Sequence, residues 1–586
     1  MDAAGLALTA IDICFKYGPL LVKLFESWRD SDTEVAERIA IVENAWAKTR
    51  EQIIFVESIA PSLDAEHRRV LDNLLAILAT KLSLAVTKVQ GLLKTKNEGD
   101  VRPGFLQLAR KVRREKYAFA KASLDEVIRD MEDWQRRFDP SWYLIVRVAS
   151  PLVDRELNRV VQGNTSPSSQ STAAVGVAVR PGQRSGLSGV PGNSEQAALF
   201  TADGVRDALR PNPQHRISIF LPQQDLETIN IRYSSAKVAK RKGTNAAGSG
   251  SNKWLIINSV RCPPSSDVTK LTKDVRDLAR KLTQADPLHF GLLSCKGVMR
   301  VLEPATQRLR SFDMIFRVPD GNSGDSAARF QCLRESLLHG DDTKAAVKTI
   351  SLSRRVRIAQ ELAKSISYVH TFNFVHKNIR PESILICSDA GADADPSRWC
   401  STFLVGFENF RSADGGTDLV GDGEWARNLY RHPSRQGENL TEPYKMQHDI
   451  YSLGVCLLEI GAWEPFVEYV TGDAEAAAPH ARPARLLDEC QKASSATRPA
   501  STSSRDGALS ELPEYCLKDQ LVNLARSRLP QMMGDKYTEV VVTCLTCLDE
   551  GNDGFGDESE MFDEDGILVG VRFIEAILFR LNEIVV

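Results

Sequence analysis

From residue 33 onward the apolar positions fall in steps of four and three. Val35, Ile39, Val42, Trp46, Thr49, Ile53 and Val56 therefore share one face of a helix. Ser31-Asp32-Thr33-Glu34, just ahead of them, has the form of a capping box. Leu71, Leu75, Leu78, Leu82, Ala85, Val89 and Leu92 repeat the stripe. Leu124, Ile128, Met131, Trp134 or Gln135, and Phe138 make a third, which is expected to end at the breaker Asp139-Pro140. Helices with one apolar stripe each bury it against one another, so residues 1–161 read as an all-α helix bundle.

The pattern then changes twice. Residues 162–213 (QGNTSPSSQSTAAVGVAVRPGQRSGLSGVPGNS and the stretch after it) are rich in Ser, Gly and Pro and read as a flexible linker, with one short helix over 195–210. Beyond it the period drops to two. RISIFL (216–221), ETINIRY (227–233), KWLIINSVR (253–261), FGLLSCKGVMRVL (290–302) and SFDMIFRVP (311–319) are strand-like, and VTKLTKDVRDLARKL (268–282) is an amphipathic helix. From 350 the pattern is mostly helical. The fold class expected is multidomain: a bundle, a linker, then an α+β part with a small lobe over 214–320 and a larger one over 321–586.

Composition narrows this picture only a little. A chain of 586 residues is too long for one core. Hydrophobic and charged fractions of 42% and 26% suit an ordinary soluble protein, and a net charge of −3 gives no overall bias toward nucleic acid or membrane. Eleven scattered cysteines suit reduced thiols inside a cell. The start, MDAAGLALTAIDICF, lacks the basic region of a signal peptide, and no run reaches the ~18 apolar residues of a membrane span. A cytoplasmic location is expected, with possible recruitment to the plasma membrane. The one local bias lies between 81 and 121, where eleven Lys or Arg face three acids. Such a cluster suits an anionic membrane surface or a solvated helix face, and its few aromatics argue against nucleic acid.

The chemistry is concentrated downstream. VHKNIRPESILI (375–386) resembles the catalytic loop of the protein-kinase family, which reads H-R-D-L-K-P-E-N. His376, Pro381 and Glu382 keep their places. FLVGFENF (403–410) follows where the family has L-x-D-F-G, with Gly406-Phe407-Glu408 in the D-F-G positions. LYRHPSRQG (429–437) resembles the A-P-E region and keeps Pro433. HDIYSLGVCLLEIG (448–461) resembles the next helix, with Asp449, Ser452, Gly454 and Glu459. LSRRVRIAQELAKSISYVHTFNFVH (352–376) matches the helix leading into the loop. The resemblance covers about 214–586 and implies a bilobal protein-kinase-like fold, with Pro381, Glu382, Pro433, Asp449 and Gly454 as its framework.

The departures fall on the working parts. In the family an Asp accepts the substrate proton and an Asn and an Asp hold Mg²⁺. Here those positions are Asn378, Ser383 and Gly406, and none is a carboxylate. No G-x-G-x-x-G precedes the third strand, and Arg261 is the only cation that Ser259-Val260-Arg261 offers at the lysine position. The resemblance implies ATP and Mg²⁺ as ligands, but these losses argue against both, and neither is assigned. The reading is of a pseudokinase. An atypical active kinase, its metal site rebuilt from Ser383 and Glu408, is one alternative. A scaffold with a kinase-fold interaction surface is another.

AAGLALTAIDICFKYGPLLVKLFESW and SLDEVIRDMEDWQRRFDPSWYLIVRV (123–148) resemble the HeLo-type helical domain of filamentous-fungal proteins. That family implies a cell-death or incompatibility effector whose first helix leaves the bundle and perturbs membranes, with self-association of the bundle. The architecture is similar to that of the animal mixed lineage kinase domain-like protein. For residues 3–15 a plain core helix is the competing reading. Two further patterns are read as decoys. DEGNDGFGDESE (549–560) mimics part of a Ca²⁺ loop but is taken as an acidic insertion, and Cys544-x-x-Cys547 is taken as buried helix.

Overall fold

The three apolar stripes lie where their spacing puts them, on the inner faces of long helices. The computed structural model describes residues 3–28, 33–94, 106–148, 150–163, 197–210, 218–241, 254–264, 266–319, 330–338, 350–387, 401–412, 420–440, 442–470, 480–488, 514–552, 554–555 and 567–586. The chain divides into two units, Met1–Arg206 and Asp207–Val586. The first is helical: α1 (Ala3–Glu26), α2 (Thr33–Ile59), α3 (Ala65–Lys94), α4 (Leu106–Leu144), α5 (Pro151–Gly163) and α6 (Ala197–Leu209). All seven stripe positions of α2 are buried, as are Leu71 to Val89 of the second stripe. In the third it is Trp134, not Gln135, that turns inward. Its Nε1 donates to Leu74 O at 2.8 Å and its ring stacks on Phe138 at 4.6 Å.

Helix α4 does not stop at Asp139-Pro140 but continues to Leu144. A proline inside a helix costs roughly 3 kcal/mol, and burying one large apolar side chain returns about 1.5–3 kcal/mol. Phe138, Trp142, Tyr143 and Leu144 are all buried, so packing wins. Asp139 is itself held by Lys48 Nζ at 2.8 Å and Gln52 Nε2 at 3.0 Å. Part of the segment read as linker is ordered too. In α6, Arg206 pairs with Asp154 at 2.5 Å and donates to Val146 O and Val148 O at 2.7 and 2.8 Å. The greater part of that segment, 164–196 and 211–213, lies outside the described residues, as do Ser31, Asp32 and the side chains of 93–119 in the basic cluster.

Helix α1 sits in the core through Ala10, Cys14, Leu21 and Phe25. Gly18 completes that stripe for a steric reason: a Cβ there would lie 2.4 Å from the Trp46 ring, so only glycine lets the two helices approach. By length and composition alone, one helix among the described residues, Ala65–Leu92 of α3, is long and apolar enough to cross a membrane. Half of that window is buried within the protein, as in a core helix.

The second unit is mixed α+β with antiparallel sheets. β1 (Leu226–Asn230), β2 (Lys237–Arg241), β3 (Leu255–Arg261), β4 (Cys295–Leu302) and β5 (Leu309–Arg317) form one sheet in the order β1-β2-β3-β5-β4. The strand expected over 216–221 reduces to a bridge from Phe220 to Val298, with 216 and 217 outside the described residues. Helix α7 (Val268–Thr283) connects β3 to β4, and the Asp267 side chain caps it by accepting from Thr269 N and Lys270 N. Arg276 of α7 and Arg300 of β4 both lie over the Phe220 ring, which meets Phe312 at 6.2 Å. The helix therefore covers the sheet face that carries Ile256, Asn258 and Val260, the register partners of Phe316, Met314 and Phe312.

The rest is built around helices. After α8 (Pro287–Phe290), β6 (Phe330–Cys332), α9 (Leu333–Leu338), α10 (Leu352–Thr371) and β7 (Phe374–Val375) come β8 (Ile384–Cys387) and β9 (Ser401–Leu404). β6, β8 and β9 make a three-stranded sheet. β10 (Arg411–Ser412), β11 (Val420–Asp422), α11 (Trp425–Asn428) and β12 (Gly437–Asn439) lead to α12 (Met446–Ala462), every residue of which is buried. β13 (Val467–Val470) pairs with β14 (His480–Pro483), and the helices Glu514–Met533, Asp535–Leu545 and Ile567–Phe573 follow. Gly454 lets α12 approach Asp535–Leu545, since a Cβ there would lie 2.8 Å from Cys544 Cβ. Cys544 and Cys547 are both buried free thiols. Asp549 is engaged by Lys518, and 556–560 of the acidic stretch lie outside the described residues.

Candidate functional site

The segment 374–384 is fixed from below by one carboxylate. Asp449, on the first turn of α12, accepts from His376 N at 2.7 Å, Lys377 N at 3.0 Å and Tyr444 Oη at 2.8 Å, and His370 Nε2 lies 3.2 Å away. Lys377 adopts φ +62°, a left-handed conformation that a lysine holds only where its surroundings impose it. Burial alone would raise the Asp449 carboxyl, but His370 and His376 beside it keep it below the usual carboxylate range. His376 is fully buried; its Nε2 donates to Val405 O at 3.0 Å and its ring meets Phe407 at 4.7 Å. Burial lowers that ring to about 4, so it is neutral near pH 7.

Asn378, Ser383 and Gly406 are brought together, and they close on one another. Asn378 Nδ2 donates to Gly406 O at 3.0 Å, and Val405 N donates to Ser383 O at 2.9 Å. Arg380 Nε donates to Asn378 Oδ1 at 2.9 Å, while Ser383 Oγ donates to Arg380 O at 2.8 Å. Gly406 has φ +84°, and a Cβ built on it would lie 2.8 Å from Ser383 Cβ and 3.2 Å from Asn378 Nδ2. Among the described residues this cluster reaches a carboxylate only through Arg380, whose Nη1 lies 3.9 Å from Glu382 Oε2. Among the described residues no group of three His, Cys, Asp or Glu side chains is placed to hold a metal ion. Glu408 lies two residues beyond Gly406, with its N–H donating to Gly406 O at 2.7 Å.

Glu382 belongs to a deeper network. Arg334 of α9, fully buried, donates to Glu382 Oε1 and Glu459 Oε1, both at 2.8 Å, and also reaches Tyr430 Oη. Tyr430 Oη donates to Glu459 Oε2 at 2.9 Å, and Tyr469 Oη donates to Glu382 Oε1 at 2.9 Å. Burial pushes the Glu382 carboxyl up, but Arg334 and Arg380 outweigh it and hold it below its usual range. The β1–β2 turn closes onto the same place. Ser234 Oγ donates to Glu382 O at 2.8 Å, Tyr233 stacks on Tyr469 at 5.1 Å, and Cys332 Sγ donates to Arg232 O at 3.1 Å. Asn258 of β3, fully buried beneath that turn, lies 3.5 Å from Ser235 Oγ.

Arg261 is placed elsewhere. It is exposed at the end of β3, in the alternation of Leu255 and Ile257 and not on the face that α7 covers, where Asn258 sits instead. Pro433 opens a buried 3₁₀ turn that brings Ser434 between two rings: His432 Nδ1 lies 3.0 Å and His448 Nε2 3.2 Å from Ser434 Oγ. Neither this cluster nor Arg334, whose partners lie 48 to 125 residues away, has a local signature in the chain. Among known proteins, no family model matches the chain and no curated protein matches it significantly.

Proposed function

We propose that the second unit is a bilobal protein-kinase-like domain that no longer transfers phosphate, and that it governs the first unit as a helical effector. The mutual closure of Asn378, Ser383 and Gly406 carries this reading. Phosphoryl transfer depends on charge stabilisation through metal-bound carboxylates; of the three positions that correspond to those groups, Asn378 bonds Gly406 O, Ser383 fills the space beside Gly406, and none holds a negative charge. The sheet order with the amphipathic helix α7 between β3 and β4, and the backbone of 376–377 braced by Asp449, support the kinase-like part. The β1–β2 turn seated on Glu382 and Tyr469 supports a closed cleft.

The helical effector reading, of the cell-death type in which the unit self-associates and disturbs an anionic membrane, is supported by the long amphipathic helices and the basic run between 81 and 121. Other proteins would then dock on the kinase-like surface in the cytoplasm. The test is thermal unfolding of the full chain with ATP, with and without Mg²⁺, beside leakage of phosphatidylserine vesicles. No Mg²⁺-dependent shift together with leakage is expected. A Mg²⁺-dependent rise in the midpoint would return the reading to an atypical kinase. Intact vesicles without a shift would favour a pure scaffold.

A further inference from the structure

The first unit carries an unusual buried polar junction where α2, α3 and α4 meet. His67, on the first turn of α3, is fully buried and its Nε2 lies 2.8 Å from Ser141 O, near the end of α4. That bond sets the tautomer: Nε2 carries the proton, and Nδ1 is left as a lone pair with no hydrogen-bond partner among the described residues. Gln52 Oε1, Ser141 Oγ and Trp142 Nε1 are likewise buried without partners. These belong to side chains that meet across the junction, since Gln52 bonds Asp139 and Phe55 meets Trp142 at 6.1 Å. Orphaned polar atoms of this kind weaken packing wherever they gather.

We propose that His67 is an acid-sensitive clasp: its neutral ring ties the start of α3 to the end of α4, and protonation of Nδ1 releases that junction. The second proton would put a positive charge into a buried site, where the attraction of Asp64 only partly offsets the loss of water. Asp64, at the start of α3, already accepts from His67 N at 2.8 Å. On α4, Asp139 is engaged by Lys48 and Gln52 of α2. Arg68 reaches back to Ala60 O and Leu63 O, and Asp154 of α5 is paired with Arg206. Burial, the largest influence on the ring, lowers its pKa more than Asp64 and Ser141 raise it. A folded pKa below the unfolded one means that the clasp is intact above about pH 6.5 and weakens as the pH falls. The inference concerns the first unit alone and does not depend on the reading of the second.

The test uses hydrogen exchange of the full-length chain, with rates converted to protection factors so that intrinsic pH dependence drops out. Protection of peptides covering 65–70 and 139–145 should fall about tenfold for each pH unit below the onset of opening. His67→Gln keeps a donor at the Nε2 position and cannot titrate, and its protection should stay level over the same range. Equal pH dependence in both proteins would overturn the proposal. If His67→Gln does not fold, the His67 ring of the natural chain decides by its NMR titration. A ring that titrates at or above pH 6.5 overturns it, and one that titrates lower, in step with loss of local protection, supports it.

Discussion

At the scale of single residues, Gly406 tests the proposed reading most sharply. Placing a carboxylate there with Gly406→Asp puts a side chain on a backbone at φ +84° and against Ser383 Cβ. Left-handed strain and this clash together should cost about 1–3 kcal/mol in urea unfolding, with no Mg²⁺-dependent binding of nucleotide gained. A variant as stable as the parent that also acquired a Mg²⁺-dependent thermal shift would mean that the closure is incidental. Arg334 makes the opposite point, since it is a charge whose removal is felt through its partners. Arg334→Met leaves Glu459 buried without its cation and Glu382 with only Arg380, 3.9 Å away, and breaking such a buried pair typically costs about 3–5 kcal/mol. The expected result is a much lower urea midpoint, with Tyr430 and Tyr469 losing their ordered contacts. A loss under about 1 kcal/mol would show that solvent or a neighbour replaces the guanidinium.

At the scale of elements, what was legible and what was not follows from the range of the interactions. The stripes of α2 and α3 were readable because burial of one helix face repeats every few residues, and Val35 to Val56 are buried as their spacing requires. The end of α4 was misread because Pro140 is a local signal, whereas Trp142 and Tyr143 act through packing against other helices. In the candidate site, Asn378, Ser383 and Gly406 were identifiable from short motifs. Arg334, Tyr430 and the pairing of Ser434 with two histidines depend on chain-distant contacts with no local signature. Gly18 would weaken α1 by helix propensity alone, yet it is a packing requirement. Gly18→Ala should therefore destabilise the first unit by about 1–3 kcal/mol and alter Trp46 fluorescence, although alanine is the better helix former. A stabilised variant would show that the two helices separate freely.

At the scale of the whole molecule, the buried histidines of the second unit predict its response to acid. Burial lowers His376 and His432 to about 4 and His448 to about 3. A histidine whose folded pKa lies below its unfolded value is held neutral by the fold. Its contribution is present above about pH 6.5 and is lost progressively as the pH falls toward the folded pKa. A ring shifted from about 6.5 to about 4 withdraws about 3 kcal/mol once both states are protonated. His448 and His432 sit beside Ser434, and His376 lies over Phe407, so the loss should appear in α12 and in the 374–384 segment together. Urea midpoints followed by hydrogen exchange of 446–462 should be level from pH 8 to 7 and fall steadily from 6.5 to 4.5. His448→Gln should flatten that slope at some cost in stability at neutral pH, because Lys445 N donates to its Nδ1 at 2.8 Å. A second unit that gained stability on acidification would require these rings to be charged in the fold, contrary to their burial.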